Sequence, residues 1–188
     1  QAPETEPPKA ETQAPETEPP KPVETLPVIP EPVIPENSTF SIHFIDVGQG
    51  DATLITSGDM AVLVDTGSLS MADEVTEYIK RYTREIDYLI LTHPHEDHMG
   101  CAAQVLSLVE VKNVIMPDAS SDDAYFSRFL DVAEEKEINL IEAEAGDTYR
   151  AGEINLTILA PLEEEYENIN NYSITLRVDI GETSALFT

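Results

Sequence analysis

The sequence predicts an α/β fold behind a disordered N-terminal segment, and three observations carry the prediction. Composition changes near residue 40: the residues before it are rich in Pro, Glu and Thr and hold almost no aliphatic clusters. After it, short β-branched runs alternate with amphipathic helical stretches, the pattern of sheets covered by helices. Third, three of the four histidines and one aspartate fall within His93-Pro-His-Glu-Asp-His98, where one of those runs meets the next helix.

Residues 1–39 contain a direct repeat, Gln1-Ala-Pro-Glu-Thr-Glu-Pro-Pro-Lys9 recurring as Gln13-Ala-Pro-Glu-Thr-Glu-Pro-Pro-Lys21. Such a segment cannot bury enough apolar surface to offset its ordering entropy, so it is expected to be disordered. Its prolines should keep it extended and polyproline-like, a tether rather than a docking motif. Residues 40–188 are enough for one domain core of ordinary size. No stretch is long and apolar enough to cross a membrane as a helix. The chain opens at Gln1 without initiator Met or signal peptide, which suggests a processed terminus. Together with the spacer, this fits an exported bacterial protein, extracellular or attached to the cell envelope.

Within the domain the elements follow in order. Residues 41–47 and 61–65 are expected as strands, each closed by a Gly-containing turn. Residues 70–83 are expected as a helix. Ser70 is placed to cap it, Asp73 and Glu74 suit its first turn, and Val75, Tyr78, Ile79 and Tyr82 form one apolar stripe. Residues 88–92 form a buried strand leading into the histidine cluster, and 99–109 a helix leaving it. A strand at 112–116 stops at Pro117, and 122–137 is a second amphipathic helix burying Tyr125 or Phe126 with Phe129, Val132 and Ala133. Further strands are expected at 138–141, 154–159, 173–179 and 185–188. The single cysteine, Cys101, excludes an internal disulfide and suits a small packed side chain.

The histidine cluster carries the chemistry. Imidazole nitrogens and carboxylate oxygens are ligands that Zn²⁺ and neighbouring transition metals prefer. His93 and His95 stand two apart at a strand's end, where side chains of that spacing point the same way. Asp97 and His98 follow in the turn, so four candidate ligands meet at a strand-to-helix corner. The remaining histidine, His43, lies on the first strand with nothing in its spacing to tie it to this corner. Glu96 fills the slot between ligands and is expected to be solvated.

Charge weighs on the choice of substrate. The chain has 37 acids against 10 bases, a net charge of −27. Residues 1–39 hold eight of the acids and two of the bases, which leaves 29 against eight in the domain. Proteins that bind nucleic acid usually carry a basic footprint, so this balance disfavours DNA as a partner.

H-x-H-x-D-H between a strand and a helix resembles the metallo-β-lactamase superfamily. Phe44-Ile-Asp-Val-Gly-Gln-Gly-Asp-Ala52 is similar to the opening strand and turn of its ComEC-like branch, which is associated with DNA uptake in bacterial competence. Val62-Leu-Val-Asp-Thr-Gly67 resembles the superfamily's first acidic motif, and Ile86-Asp-Tyr-Leu-Ile-Leu-Thr-His93 leads into the metal motif as that branch does. Asn170-Asn-Tyr-Ser-Ile-Thr-Leu-Arg177 resembles its later Asn/Ser segment. The resemblance implies an αβ/βα sandwich, of which this chain would be the first part. It also implies two metal ions, Zn²⁺ or Mn²⁺, with His93 and His95 binding one and Asp97 and His98 the other.

By the same resemblance Asp65 would steady the ligands from behind, although capping of the turn at Thr66-Gly67 is an equal local reading. Asp46, Gln49 and Asp51 are expected in a turn at the rim. The later histidine that completes the family's site has no counterpart here, and residues 168–173 carry Asn and Ser instead. Asn171 and Ser173 are therefore candidate contacts to substrate, with local capping as the alternative. The family's bridging aspartate would follow a strand like 185–188, so the domain is expected to be C-terminally incomplete and this chain alone inactive. The activity so implied is hydrolysis by metal-activated water, with Asp97 orienting the water or taking its proton. A phosphodiester is the expected substrate, extracellular DNA being one candidate. Two other readings stand beside it: hydrolysis of a small amide, lactone or thioester, and a non-catalytic envelope-tethered binding module with a vestigial metal site.

Overall fold

Strands β1 (Phe40–Phe44), β2 (Thr53–Ser57) and β3 (Met60–Val64) form an antiparallel meander. Strands β4 (Glu85–Ile90), β5 (Glu110–Met116) and β6 (Asn139–Glu142) then add in parallel, giving one sheet of order β1-β2-β3-β4-β5-β6. This computed structural model describes residues 40–188 except Glu164. The expectation of a disordered tether over 1–39 falls outside the described residues.

Each parallel step needs a crossover, and helices supply all three. Helix α1 (Ala72–Tyr82) joins β3 to β4, α2 (Glu96–Met99) and α3 (Ala102–Leu108) join β4 to β5, and α4 (Ala124–Glu135) joins β5 to β6. All pack on one face of the sheet. Val75 and Ile79 of α1, Val105 and Leu106 of α3, and Phe129 and Val132 of α4 meet Leu63, Leu89 and Val114 there. The other face packs on a four-stranded antiparallel sheet of order β10-β9-β8-β7. Its strands are β7 (Thr148–Ala151), β8 (Ile154–Ala160), β9 (Thr175–Ile180) and β10 (Thr183–Phe187). Ile55, Val62, Ile90 and Ile115 meet Leu156, Ile158, Leu176 and Val178 in this second core. Strands β3, β4 and β5 are thus covered on both sides, which is why β3 and the C-terminal halves of β4 and β5 are apolar without alternation. The layers run helix, sheet, sheet, within the α/β class.

Several expectations change in detail. β1 stops at Phe44, because residues 45–52 leave the sheet as a loop. Strands β2 and β7 were not anticipated. The helix expected over 99–109 is broken at Gly100–Cys101 into α2 and α3. A side chain at Gly100 would overlap the Leu69 amide and the Glu96 carbonyl, so only glycine fits at this junction. Ser70 does not cap α1: it lies in a 3₁₀ turn (Leu69–Met71), its hydroxyl bonded to Ser68 Oγ at 2.8 Å, and Met71 holds the N-cap position without a side-chain bond. In α4, Phe126 is the buried aromatic, while Tyr125 is half-buried and donates its hydroxyl to the Pro94 carbonyl at 2.9 Å.

Candidate metal centre

The site forms beyond the C-terminal ends of β3 and β4, where a parallel sheet presents its loops. Asp65 follows β3 in a left-handed conformation (φ 55°) and is 2% exposed. Its carboxylate accepts three hydrogen bonds at 2.7 Å, from the Thr92 amide, the Thr92 hydroxyl and His98 Nδ1. The neighbouring backbone closes the same joint, since Thr66 N donates to His98 O at 2.6 Å. Asp65 therefore bolts the β3 loop to the histidine loop. Its contacts support the steadying role over simple turn capping.

The hydroxyl of Thr92 sits between Asp65 and His93. The Thr92 hydroxyl has one proton and gives it to Asp65, so towards His93 Nδ1, 3.1 Å away, it accepts. In the tautomer that donates from Nδ1 to Thr92, with Ser173 Oγ also at 3.2 Å, His93 keeps a lone pair on Nε2. His98 donates from Nδ1 to Asp65 and likewise keeps a lone pair on Nε2. Imidazoles fixed through one nitrogen with the other left basic are the arrangement a metal ligand needs.

His93 Nε2 lies 3.1 Å from His95 Nδ1. Two nitrogens each about 2.0–2.1 Å from a tetrahedral ion would be about 3.3 Å apart, so the pair fits a shared cation. The His98 ring stands 4.1 Å from that of His93. Asp97 Oδ2 accepts from Gln49 Nε2 at 3.4 Å. Among the described residues no three His, Cys, Asp or Glu side chains are gathered into a group that could hold a metal ion, and His93 with His95 is the pair whose spacing suits one. In donor chemistry and in the His93–His95 spacing, the residues fit a divalent ion.

Electrostatics favour the same use. Burial, with help from His98 and His95, lowers the His93 pKa to about 4, so its ring is neutral at ordinary pH. Burial also works against charge on His98, but the Asp65 carboxylate outweighs it and raises the His98 pKa. Burial pushes Asp65 upward, and its three donors oppose that. Those donors require a carboxylate, which places the proton of the pair on His98. Partial burial opposes ionisation of Asp97, yet the Gln49 bond and the nearby His98 and His95 bring its pKa below the usual range.

A rim loop clamps onto this corner. Asp51 N donates to Asp97 O at 3.2 Å, and Gly67 N donates to Asp51 O at 2.8 Å. The clamp brings the exposed Asp51 carboxylate to 4.0 Å from His98 Nδ1. Asp46 accepts from Gly48 N at 3.1 Å and stays within its turn. Glu96 is exposed, but its carboxylate accepts from the Leu69 amide at 2.7 Å, so it braces the 3₁₀ turn rather than standing free in solvent.

The structure brings His93, His95, Asp97, His98, Asp65 and Ser173 together. Asn171 is exposed, and the local cap is Asn168, whose side chain accepts from Asn170 N at 2.9 Å. Ser173 meets the back of His93 rather than open space, and Ile174 N holds its segment to Thr92 O at 3.0 Å. His43 lies apart, its ring 4.2 Å from Tyr82 between β1 and α1. Cys101 is buried with its thiol on Ser68 O at 2.8 Å, and burial raises its pKa to about 12. The sequence reasoning missed Thr92, which links Asp65 to both His93 and His98, and Tyr125, which holds the Pro94 carbonyl.

Comparison with known proteins agrees with this geometry. The profile of the metallo-β-lactamase superfamily matches residues 45–167. ComE operon protein 3 of Bacillus subtilis is 26% identical over 171 residues, covering 81% of this chain and 22% of its own length. Recombination protein 2 of Haemophilus influenzae is 30% identical over 155 residues, covering 80% of this chain and 18% of its own. This chain thus spans about a fifth of these relatives. Among solved structures, a metallo-β-lactamase of Cronobacter sakazakii with a HARLDQ motif superposes with a TM-score of 0.58. It shares 14% identity over 80% of this chain and 62% of its own, a likeness of fold alone. On the profile match, the chain belongs to the metallo-β-lactamase superfamily, and it is similar to two competence-type relatives within it.

Proposed function

We propose that this domain carries the metal-binding corner of a metal-dependent hydrolase that acts on a phosphodiester at the cell envelope or outside the cell. One observation carries the reading: His93 and His98 are each fixed through Nδ1, with Nε2 left basic, and His93 Nε2 faces His95 Nδ1 at 3.1 Å. His93 and His95 would hold one ion, Asp97 and His98 a second, Zn²⁺ or Mn²⁺ in each case. When bound, such an ion supplies a Lewis acid for the scissile bond and acidifies a water towards neutral pH.

The chain's own residues do the rest. Asp65 and Thr92 hold His98 and His93 in the required tautomers, and Ser173 supports His93 from behind. Asp97 is ionised and held by Gln49, so it can orient a water or accept its proton. The phosphodiester class rests on the kinship with ComE operon protein 3 and with a protein named for recombination, a transaction on nucleic acid. The domain's 29 acids against eight bases argue for a short substrate or a chain end rather than a long duplex lying on this domain.

The test is the full-length gene product with Zn²⁺ or Mn²⁺, assayed on bis(p-nitrophenyl) phosphate and nitrocefin side by side. Metal-dependent turnover of the phosphodiester, lost in His95→Ala, is expected. Equal turnover in the variant would contradict the site, and a preference for nitrocefin would contradict the substrate. A second reading, a metal-holding binding module, draws on the paired, unclosed donor set. It predicts metal uptake without turnover of either compound.

A further inference from the structure

We propose that a pocket at the opposite end of the sheet from the histidines binds a small phosphate-bearing ligand. The pocket has a volume of about 530 Å³ and is lined by Lys80, Arg81 and Arg84, with Thr56 and Asp59 of the β2–β3 hairpin and Glu85 across from them. β4 separates it from His93, and six residues at about 3.3 Å each put it roughly 20 Å from the metal corner.

Charge distribution singles this place out. Only eight cationic side chains serve residues 40–188, and three stand within the five positions 80–84. Of the other five, four are engaged: Lys112 is paired with Glu85 and Asp87, Arg177 with Asp179, Arg150 bonds Gly152 O and Lys136 bonds Ser107 O. Arg128 on α4 is exposed and has no side-chain partner among the described residues, and no second cation stands within seven positions of it in the chain. Arg81 and Arg84 are exposed and form no side-chain hydrogen bond or ion pair among the described residues. Lys80 has only Glu77 at 3.3 Å, an exposed helical pair that is readily given up. Of the two lining carboxylates, Glu85 is held by Lys112, which leaves Asp59.

A structural role covers part of this cluster. Lys80 and Arg81 stand in the last turn of α1, where cations answer the helix's carbonyl end. Arg84 lies two residues past the helix, where that explanation ends. Two guanidinium forks and an ammonium around one pocket match the several oxygens of a phosphate group better than a single carboxylate. The volume is that of a small-molecule site. A long polyanion would have to extend over a surface dominated by carboxylates, so the ligand is inorganic phosphate or a mononucleotide. This inference does not depend on the proposed hydrolase.

The chain is titrated at low ionic strength with inorganic phosphate, then with adenosine monophosphate. A chelator is present throughout, so that no metal at the histidines can report. Arginine Nε–H resonances are followed by NMR. The expected result is saturable shifts of Arg81 and Arg84 with Arg128 and Arg177 unmoved, and at least tenfold weaker binding in Arg81→Gln/Arg84→Gln with an unchanged melting temperature. Parallel drift of Arg128 and Arg177 with Arg81 and Arg84, undiminished binding in the double variant, or binding only to phosphatidylglycerol vesicles would each overturn it.

Discussion

Gly50 is where the rim loop presses on the ligand loop, and replacing it by alanine tests how the site is held. Gly50 has φ 107°, and a Cβ there would overlap the Asp97 carbonyl oxygen and stand 2.8 Å from the Asp97 carbonyl carbon. The conformation alone costs an alanine about 1–3 kcal/mol. The overlap is with backbone, so the loop must move away. That movement breaks the bonds Asp51 N to Asp97 O and Gly67 N to Asp51 O, at about 1 kcal/mol each. Together the loss is about 3–5 kcal/mol, which for a domain of this size lowers the melting temperature by about 6–20 °C. Gly48→Ala is the control, because Gly48 has φ 69° and no atom within 4 Å of its would-be Cβ. It carries the strain alone, about 1–2 kcal/mol and a few degrees. Thermal melts of the two variants, followed by circular dichroism and paired with a Zn²⁺ titration, decide the matter. Gly50→Ala melting within two degrees of Gly48→Ala, with unchanged Zn²⁺ affinity, would refute the clamp.

Other predictions probe the same joint. Asp65→Ala strands three buried donors and should cost about 3–5 kcal/mol in urea unfolding, with Zn²⁺ affinity about 10–100-fold weaker; a loss below 1 kcal/mol would contradict the bolt. The metal-free chain should lose stability as pH falls from 6.5 to about 4, because His93 stays neutral when folded but binds a proton when unfolded. The effect approaches about 3 kcal/mol and levels off below pH 4, and a His93→Asn variant should flatten this limb of the stability profile. His98, with its pKa raised, acts in the opposite sense and above pH 6.5, where stability falls as it deprotonates. Cys101, buried and with its thiol pushed up to about 12, should react with iodoacetamide only as fast as the domain unfolds. Rapid labelling of the native chain would contradict that.

How much could be seen in advance depends on whether a feature is local. The histidine cluster was legible because few structural needs place three imidazoles and a carboxylate within six residues. The stripe of α1 and the apolar run of β4 were legible for the same reason, each being a periodicity within one segment. β2 escaped because it is buried on both faces between β1 and β3 and so does not alternate, although Gly58-Asp59 after it carried the signal of a tight hairpin. β7 escaped because Thr148, Tyr149 and Arg150 are polar on an edge strand. The roles of Glu96 and Ser173 were hidden for a different reason. Their partners, Leu69 and His93, lie 27 and 80 residues away, and only the folded chain brings them together. Thr92 reads as the last residue of a strand, and nothing in its neighbourhood announces that its one proton sets a histidine tautomer.

We propose that divalent metal is held by His93 and His98 through Nε2, with Thr92 and Asp65 behind their Nδ1 atoms, together with a His95 nitrogen and the Asp97 carboxylate. The most direct measurement is titration of this chain with Zn²⁺, observed through the imidazole resonances of its four histidines, with His95→Ala beside it. The expected result is that His93 and His95 shift together with the first equivalent and His98 with the second while His43 does not move, and that affinity falls at least tenfold in the variant. Shifts at His43 alone, or identical binding by His95→Ala, would contradict it.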